Sequence, residues 1–101
     1  KLYDIGNIPG QWAQVNTLAI VVEQGTFQIS YKLDKGESLT DWISLGEFHK
    51  GTTEVDLRKD MNTGYRISFR ITSNVANVQS IFNSITLKDR NTIDRKNAPR
   101  E

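Results

Sequence analysis

The residues of this chain that could do chemistry are few and scattered. His49 is its one histidine, and cysteine is absent. A metal site or a nucleophile and base pair needs a second imidazole, a thiolate, or a serine held against the ring. Phe48 and Lys50, the neighbours of His49, supply none of these, so His49 reads as an exposed turn residue. Asp34, Glu37 and Asp41 share one polar stretch. Two carboxylates that cleave a glycosidic bond must face each other across a cleft, which a single loop does not provide. Lys35 stands where a calcium loop wants an oxygen, and no bidentate Glu follows at the required distance. These three acids therefore read as solvated loop charges. Arg66 and Arg70 flank Ser68 with strand spacing. Long basic side chains so placed cover a sheet and pair with acids on neighbouring strands. A phosphate- or sulfate-binding stripe is the sharper alternative. No catalytic set, metal or cofactor is expected, and the chain reads as a non-enzyme.

Sugar recognition is the chemistry best served by the remaining residues. A pyranose stacks its C–H face on Trp or Tyr while its hydroxyls bond to amides and carboxylates. Trp12 lies among Gln11, Gln14 and Asn16, Trp42 follows Asp41, and Asn7, Asn62, Asn74 and Asn77 fall in turn-rich stretches. The candidate ligand contacts are accordingly Trp12, Trp42, Asp41, Asn62 and Asn74. At least one of the two tryptophans is expected to be structural, because small sandwiches commonly bury one.

The elements that must position these residues are strands. From Phe27 to Leu33 apolar and polar side chains alternate without a break, which puts Phe27, Ile29, Tyr31 and Leu33 on one face and Gln28, Ser30 and Lys32 on the other. Gly25 and the Asp34, Lys35, Gly36 cluster end the run. Tyr65 to Thr72 repeats the pattern, with Tyr65, Ile67, Phe69 and Ile71 on one face. Thr17 to Glu23 is a short β-branched run that suits a covered or central strand. Trp42 to Phe48 and Thr53 to Leu57 read as strands as well, and Lys1 to Ile5 as an edge strand. In the Trp42 strand, Ile43 and Leu45 point opposite to Trp42 unless a bulge intervenes. Ser80 to Leu87 puts Ile81, Ile85 and Leu87 on one face and Phe82 on the other, with Asn83 marking a bulge.

Turns fall every eight to twelve residues and no helical period is present, so the fold class is all-β. The expected architecture is an antiparallel β-sandwich, jelly-roll-like, of about seven to eight strands. One domain over residues 1–88 fits a chain of 101 residues. Residues 89–101 carry one sizeable aliphatic side chain, Ile93, and read as a polar tail or linker. A start at Lys1 rather than Met leads us to expect a fragment or a processed product. Thirteen Lys and Arg against twelve Asp and Glu leave a formal charge of +1, too little for a broad field drawing in nucleic acid or an anionic membrane. No apolar run approaches a membrane span, and insertion is not expected.

The stretch Gly25 to Phe48 resembles a recurrent sandwich phrase, an alternating strand followed by a polar loop and the return Trp42, Ile43, Ser44, Leu45, Gly46. Tyr65 to Asn74 and Ser80 to Leu87 resemble its closing strands, so the likeness spans residues 17–88. The phrase is similar to β-sandwich modules of bacteriophage tail and other virion proteins, and to discoidin-like carbohydrate-binding modules of secreted bacterial enzymes. The first resemblance implies a non-catalytic structural or attachment module in a virion, partnered by other tail or virion subunits, a homo-oligomer, or a host surface. The second implies an extracellular module that tethers an enzyme to a glycan. Under the first, a neighbouring chain would cover the polar face of Gln28, Ser30 and Lys32.

Overall fold

The computed structural model describes residues 2–6, 9–73 and 80–92. Eight strands and no helix occur among them: β1 (Leu2–Asp4), β2 (Ala13–Gln24), β3 (Phe27–Asp34), β4 (Ile43–Phe48), β5 (Gly51–Asp56), β6 (Thr63–Gly64), β7 (Arg66–Ser73) and β8 (Ile81–Thr92). They form an antiparallel β-sandwich. One sheet, here called the front sheet, has the order β1-β7-β3-β4; in the back sheet β2 is central, with β8 on one side and β5 and β6 in line on the other.

The front sheet grows from the alternation of β3. Phe27, Ile29, Tyr31 and Leu33 are all buried. Their partners on β7, Ile71, Phe69 and Ile67 opposite Ile29, Tyr31 and Leu33, face the same interior. On β4, Ile43 lies opposite Tyr31 and Phe48 opposite Phe27. Between those pairs Ile29 meets Gly46 while Ser30 meets Ser44, so Leu45 is an extra residue in a bulge. Gly46 takes φ 103° there, a value that a residue with a Cβ rarely adopts.

The back sheet closes the core with Ala13, Val15, Leu18, Ile20 and Val22 of β2, all buried. Their spacing changes phase between Val15 and Leu18, and Asn16 marks the place. Its carbonyl accepts from Leu57 N at 2.8 Å, and its side-chain amide donates to the Asp89 carbonyl at 3.1 Å. Opposite it in β8, Asp89 has φ 52°. Both long strands are thus irregular at the same level. The sequence pattern, which requires a strand only from Thr17, misses this because the phase change breaks the alternation that a strand search follows.

Two expectations for β8 are corrected. Phe82 points inward with Ile85 and Leu87, stacking edge-on against Phe27 at 5.5 Å, while Ile81 is 37% exposed. The cause is the bulge marked by Asn83: Ser84 pairs with Val21 and Phe82 with Val22, leaving Asn83 unpaired and reversing the face beyond it. The strand also continues past Lys88, where a tail was expected, with Arg90, Asn91 and Thr92 opposite Val15, Gln14 and Ala13. Backbone pairing against β2 orders this polar segment without apolar side chains, and Arg90 Nη1 adds a bond to the Ile5 carbonyl at 3.2 Å. The remainder of the expected tail, from residue 93, lies outside the described residues.

Candidate functional site

Three places bring candidate residues together: the outer face of the front sheet, the corner where the chain crosses between sheets, and an open side of the sandwich. On the outer face, β3 presents Lys32, Ser30 and Gln28 between Ser68, Arg70 and Thr72 of β7 on one side and, on the other, β4 with Ser44 opposite Ser30 and Glu47 opposite Gln28. Trp42 lies on this face. Lys32 Nζ is 4.6 Å and Arg70 Cζ 4.7 Å from the centroid of its ring. The indole is half-buried, and its π-system serves two cations. Arg70 thus covers the sheet, as expected, but by stacking rather than by pairing with an acid. Asp41, just before the indole, is exposed.

The corner is built on Asp34. Although read as a loop charge, it is the last residue of β3 and only 8% exposed. Its Oδ2 accepts from Arg66 Nε and Nη2 at 3.0 and 2.7 Å, and its Oδ1 accepts from Gly36 N at 2.9 Å. The Gly36 N–H and then the Arg66 guanidinium hold the Asp34 carboxyl below its ordinary value. A group depressed in the folded state stabilises the fold above its unfolded pKa, about 4, and loses that contribution as pH falls through the folded value. Asp34→Asn should therefore cost about 1–2 kcal/mol at pH 7. In urea titrations from pH 7 to pH 2, the gap from wild type should close at the acid end; a gap independent of pH would contradict this account.

The same corner holds the other tryptophan. Tyr65 N donates to the Asp34 carbonyl at 2.8 Å, and the Tyr65 ring meets Trp12 edge-to-face at 4.9 Å and 74°. Lys35 Nζ lies 5.8 Å from the Trp12 centroid. Gly36, at φ 100°, packs so close that a Cβ would come within 2.9 Å of Tyr65 Cε2. Trp12 is half-buried, like Trp42. Neither tryptophan belongs to the buried core, so the expectation of a core tryptophan gives way to two half-exposed ones, each in its own cluster.

Asn62 is removed from the accessible candidates. It is 1% exposed, its amide donates to Asn16 Oδ1 at 3.1 Å, and its own Oδ1 accepts from Thr63 Oγ1 at 3.0 Å. These bonds fasten the β5–β6 connection to β2 where β2 is irregular. Asn74, with Asn7 and Asn77, lies outside the described residues. His49 is exposed, with Nδ1 3.1 Å from Thr26 Oγ1.

The third place was not foreseen. Between β7 and β8 the sheets part over an apolar cleft of about 480 Å³, lined by Tyr3, Phe69, Ile71, Phe82, Asn83, Ser84, Ile85 and Leu87. Here β1 pairs with β7 only along Arg66, Ile67 and Ser68, and among the described residues no further strand extends the front sheet over β8. Tyr3 and Ile71 at its mouth are 49% and 37% exposed.

Protein-family models, curated proteins and solved structures contain no match to this chain. Its functional reading accordingly starts from these three places. Alternation identifies Phe69, Ile71, Ile85 and Leu87 as interior residues; Phe69, Ile85 and Leu87 pack against the core, while Ile71 stands exposed at the cleft mouth. That the interior is left open beside them depends on which strands become neighbours, and the one available signal was the brevity of the alternation around Leu2 to Asp4.

Proposed function

We propose that this chain is a non-catalytic structural module of a bacteriophage tail or virion protein, acting in assembly or in attachment to a host surface. The observation that carries the reading is the open cleft. Apolar surface left accessible between two sheets is a place where another chain can dock. The edge of β7 from Phe69 to Ser73, in line with β1 and unpaired on that side among the described residues, offers backbone groups to an added strand. The occupant under this reading is an extended segment of a neighbouring subunit, with alternate apolar side chains entering between Ile71 and Ile85. The setting in a virion comes from the resemblance of residues 17–88 to tail and virion sandwiches.

Light scattering after size-exclusion chromatography tests the contact. The wild type should associate with rising concentration, and Ile71→Glu should weaken that association by about tenfold or more without unfolding, since Ile71 is already partly exposed. A chain that stays monomeric at about millimolar concentration, or an association indifferent to Ile71→Glu and Tyr3→Ser, would sink the reading.

A second reading, a carbohydrate-binding module of a secreted bacterial enzyme, is favoured by Trp12, which is half-buried beside Tyr65 rather than in the core. Binding of neutral glycans on an array, lost in Trp12→Ala, would support it. An array on which no neutral glycan binds would remove it.

A further inference from the structure

The outer face of the front sheet lies opposite the interior and its cleft, and what it binds does not depend on what fills the cleft. Two like charges share one indole there. Lys32 Nζ and Arg70 Cζ each lie within 5 Å of the Trp42 ring centroid, so the cations are no farther apart than those two distances together. Among the described residues neither forms an ion pair, whereas Arg66 on the same strand as Arg70 is matched to Asp34. A single cation over an exposed ring is an ordinary stabilising contact. A second one beside it adds repulsion that the ring offsets only in part, and an anion placed between them would relieve it.

The geometry also prepares the donors. A guanidinium stacked on an indole satisfies its face and keeps its N–H edge available for a planar, two-oxygen acceptor. Stacking further reduces the rotamers that Arg70 must give up on binding. Along the strands beside it run Ser30, Ser44 and Gln28, the last two exposed and all three on the same face. Hydroxyls and an amide in a flat row match a polymer of hydroxylated rings. The charge density argues the same way. Duplex nucleic acid carries about one phosphate per 1.7 Å and is bound by many cations, while this face has two cations without an ion pair among the described residues, beside the carboxylate of Glu47 opposite Gln28, on a chain of net charge +1.

We propose that the outer face of the front sheet binds an acidic polysaccharide, with Arg70 and Lys32, held over Trp42, receiving a carboxylate or sulfate group while Ser30, Ser44 and Gln28 bond to ring hydroxyls. Trp42 is a positioning residue in this site. Its ring holds both cations within 5 Å of its centroid, so it fixes where the anion sits rather than stacking on the sugar.

Calorimetric titration of the whole chain tests this, using a polygalacturonate oligomer and a heparin-derived oligosaccharide as probes at low ionic strength. A neutral cello-oligosaccharide, a single-stranded oligonucleotide and polyglutamate serve as comparisons. At least one acidic glycan should bind in preference to all three. The uronate probe alone binding identifies a carboxylate ligand, the heparin probe alone a sulfate ligand, and both a site that reads the charge they share. Arg70→Gln should weaken binding about tenfold, and Arg70→Lys should not restore it because the fork is lost. Lys32→Gln should weaken it less. Trp42→Phe should bind between wild type and Arg70→Gln while giving an unchanged thermal midpoint to within about 5 °C. Arg58→Gln, removed from a pair with Asp60, should bind as wild type. Absence of binding to both acidic glycans, binding unaltered by Arg70→Gln, or equal affinity for the oligonucleotide or polyglutamate would each overturn the assignment.

Discussion

Replacing Tyr31 by alanine should lower the free energy of unfolding by about 4 kcal/mol. Tyr31 is 1% exposed, stands between Phe69 and Ile43 on the inner face of the front sheet, and donates its phenol proton to the Met61 carbonyl at 2.7 Å. Truncation removes an aromatic ring from between two sheets and leaves a space that flanking strands cannot collapse to fill. Domains of this size have roughly 5–15 kcal/mol in hand, so the variant should be near the edge of folding, and its urea midpoint should fall accordingly. Tyr31→Phe separates packing from the hydrogen bond, and should cost about 1 kcal/mol. Burial raises the Tyr31 pKa, with Arg58 opposing and Asp60 reinforcing the shift. The fold therefore favours the neutral phenol, and that preference is lost as pH rises past the unfolded value of about 10. Wild type should lose stability in alkali more steeply than Tyr31→Phe. Equal alkaline slopes would show that the phenol is not held as described.

The next largest effect should come from Gly64→Ala. A Cβ at Gly64 would stand 2.8 Å from the Asp34 carbonyl oxygen and 3.6 Å from Leu33 Cβ. The obstacle is backbone, which cannot rotate away like a side chain. Thr63 and Gly64 pair with β2 in the back sheet, whereas Tyr65 N bonds to Asp34 at the end of the front one. The glycine is what lets the chain pass between layers at this distance. We expect a loss of about 2 kcal/mol, read as a thermal midpoint lower by roughly 10 °C. A variant melting within about 2 °C of wild type would show that the corner can open at little cost.

What could be read from the sequence follows from what is local. Phe27 to Leu33 face inward because alternation is a property of one strand, and the bulge at Asn83 was visible as a break in that alternation. Asp34 looked like one loop acid among three, because its partner Arg66 lies thirty-two positions away and no spacing rule connects them. Arg70 looked like an arginine awaiting an acid; only the register that sets β3 between β4 and β7 brings it to Trp42. Asn62 was taken for a surface amide because turn-rich stretches usually carry them, and the irregular β2 that it fastens had itself escaped the pattern. Of the candidate site, the residue types were legible at Trp12 and Trp42. Their surroundings were not, since those belong to strand order.

β8 is twelve residues long and, among the described residues, pairs on one side only, which would ordinarily invite edge-to-edge fibril growth. Its two irregularities divide that hazard. The unpaired Asn83 and the left-handed Asp89 leave only the stretch from Ser84 to Lys88 regular between them, ending in a charge. A stacked cross-β array needs about six or seven consecutive residues in register, so the exposed edge is too short to template its own copies.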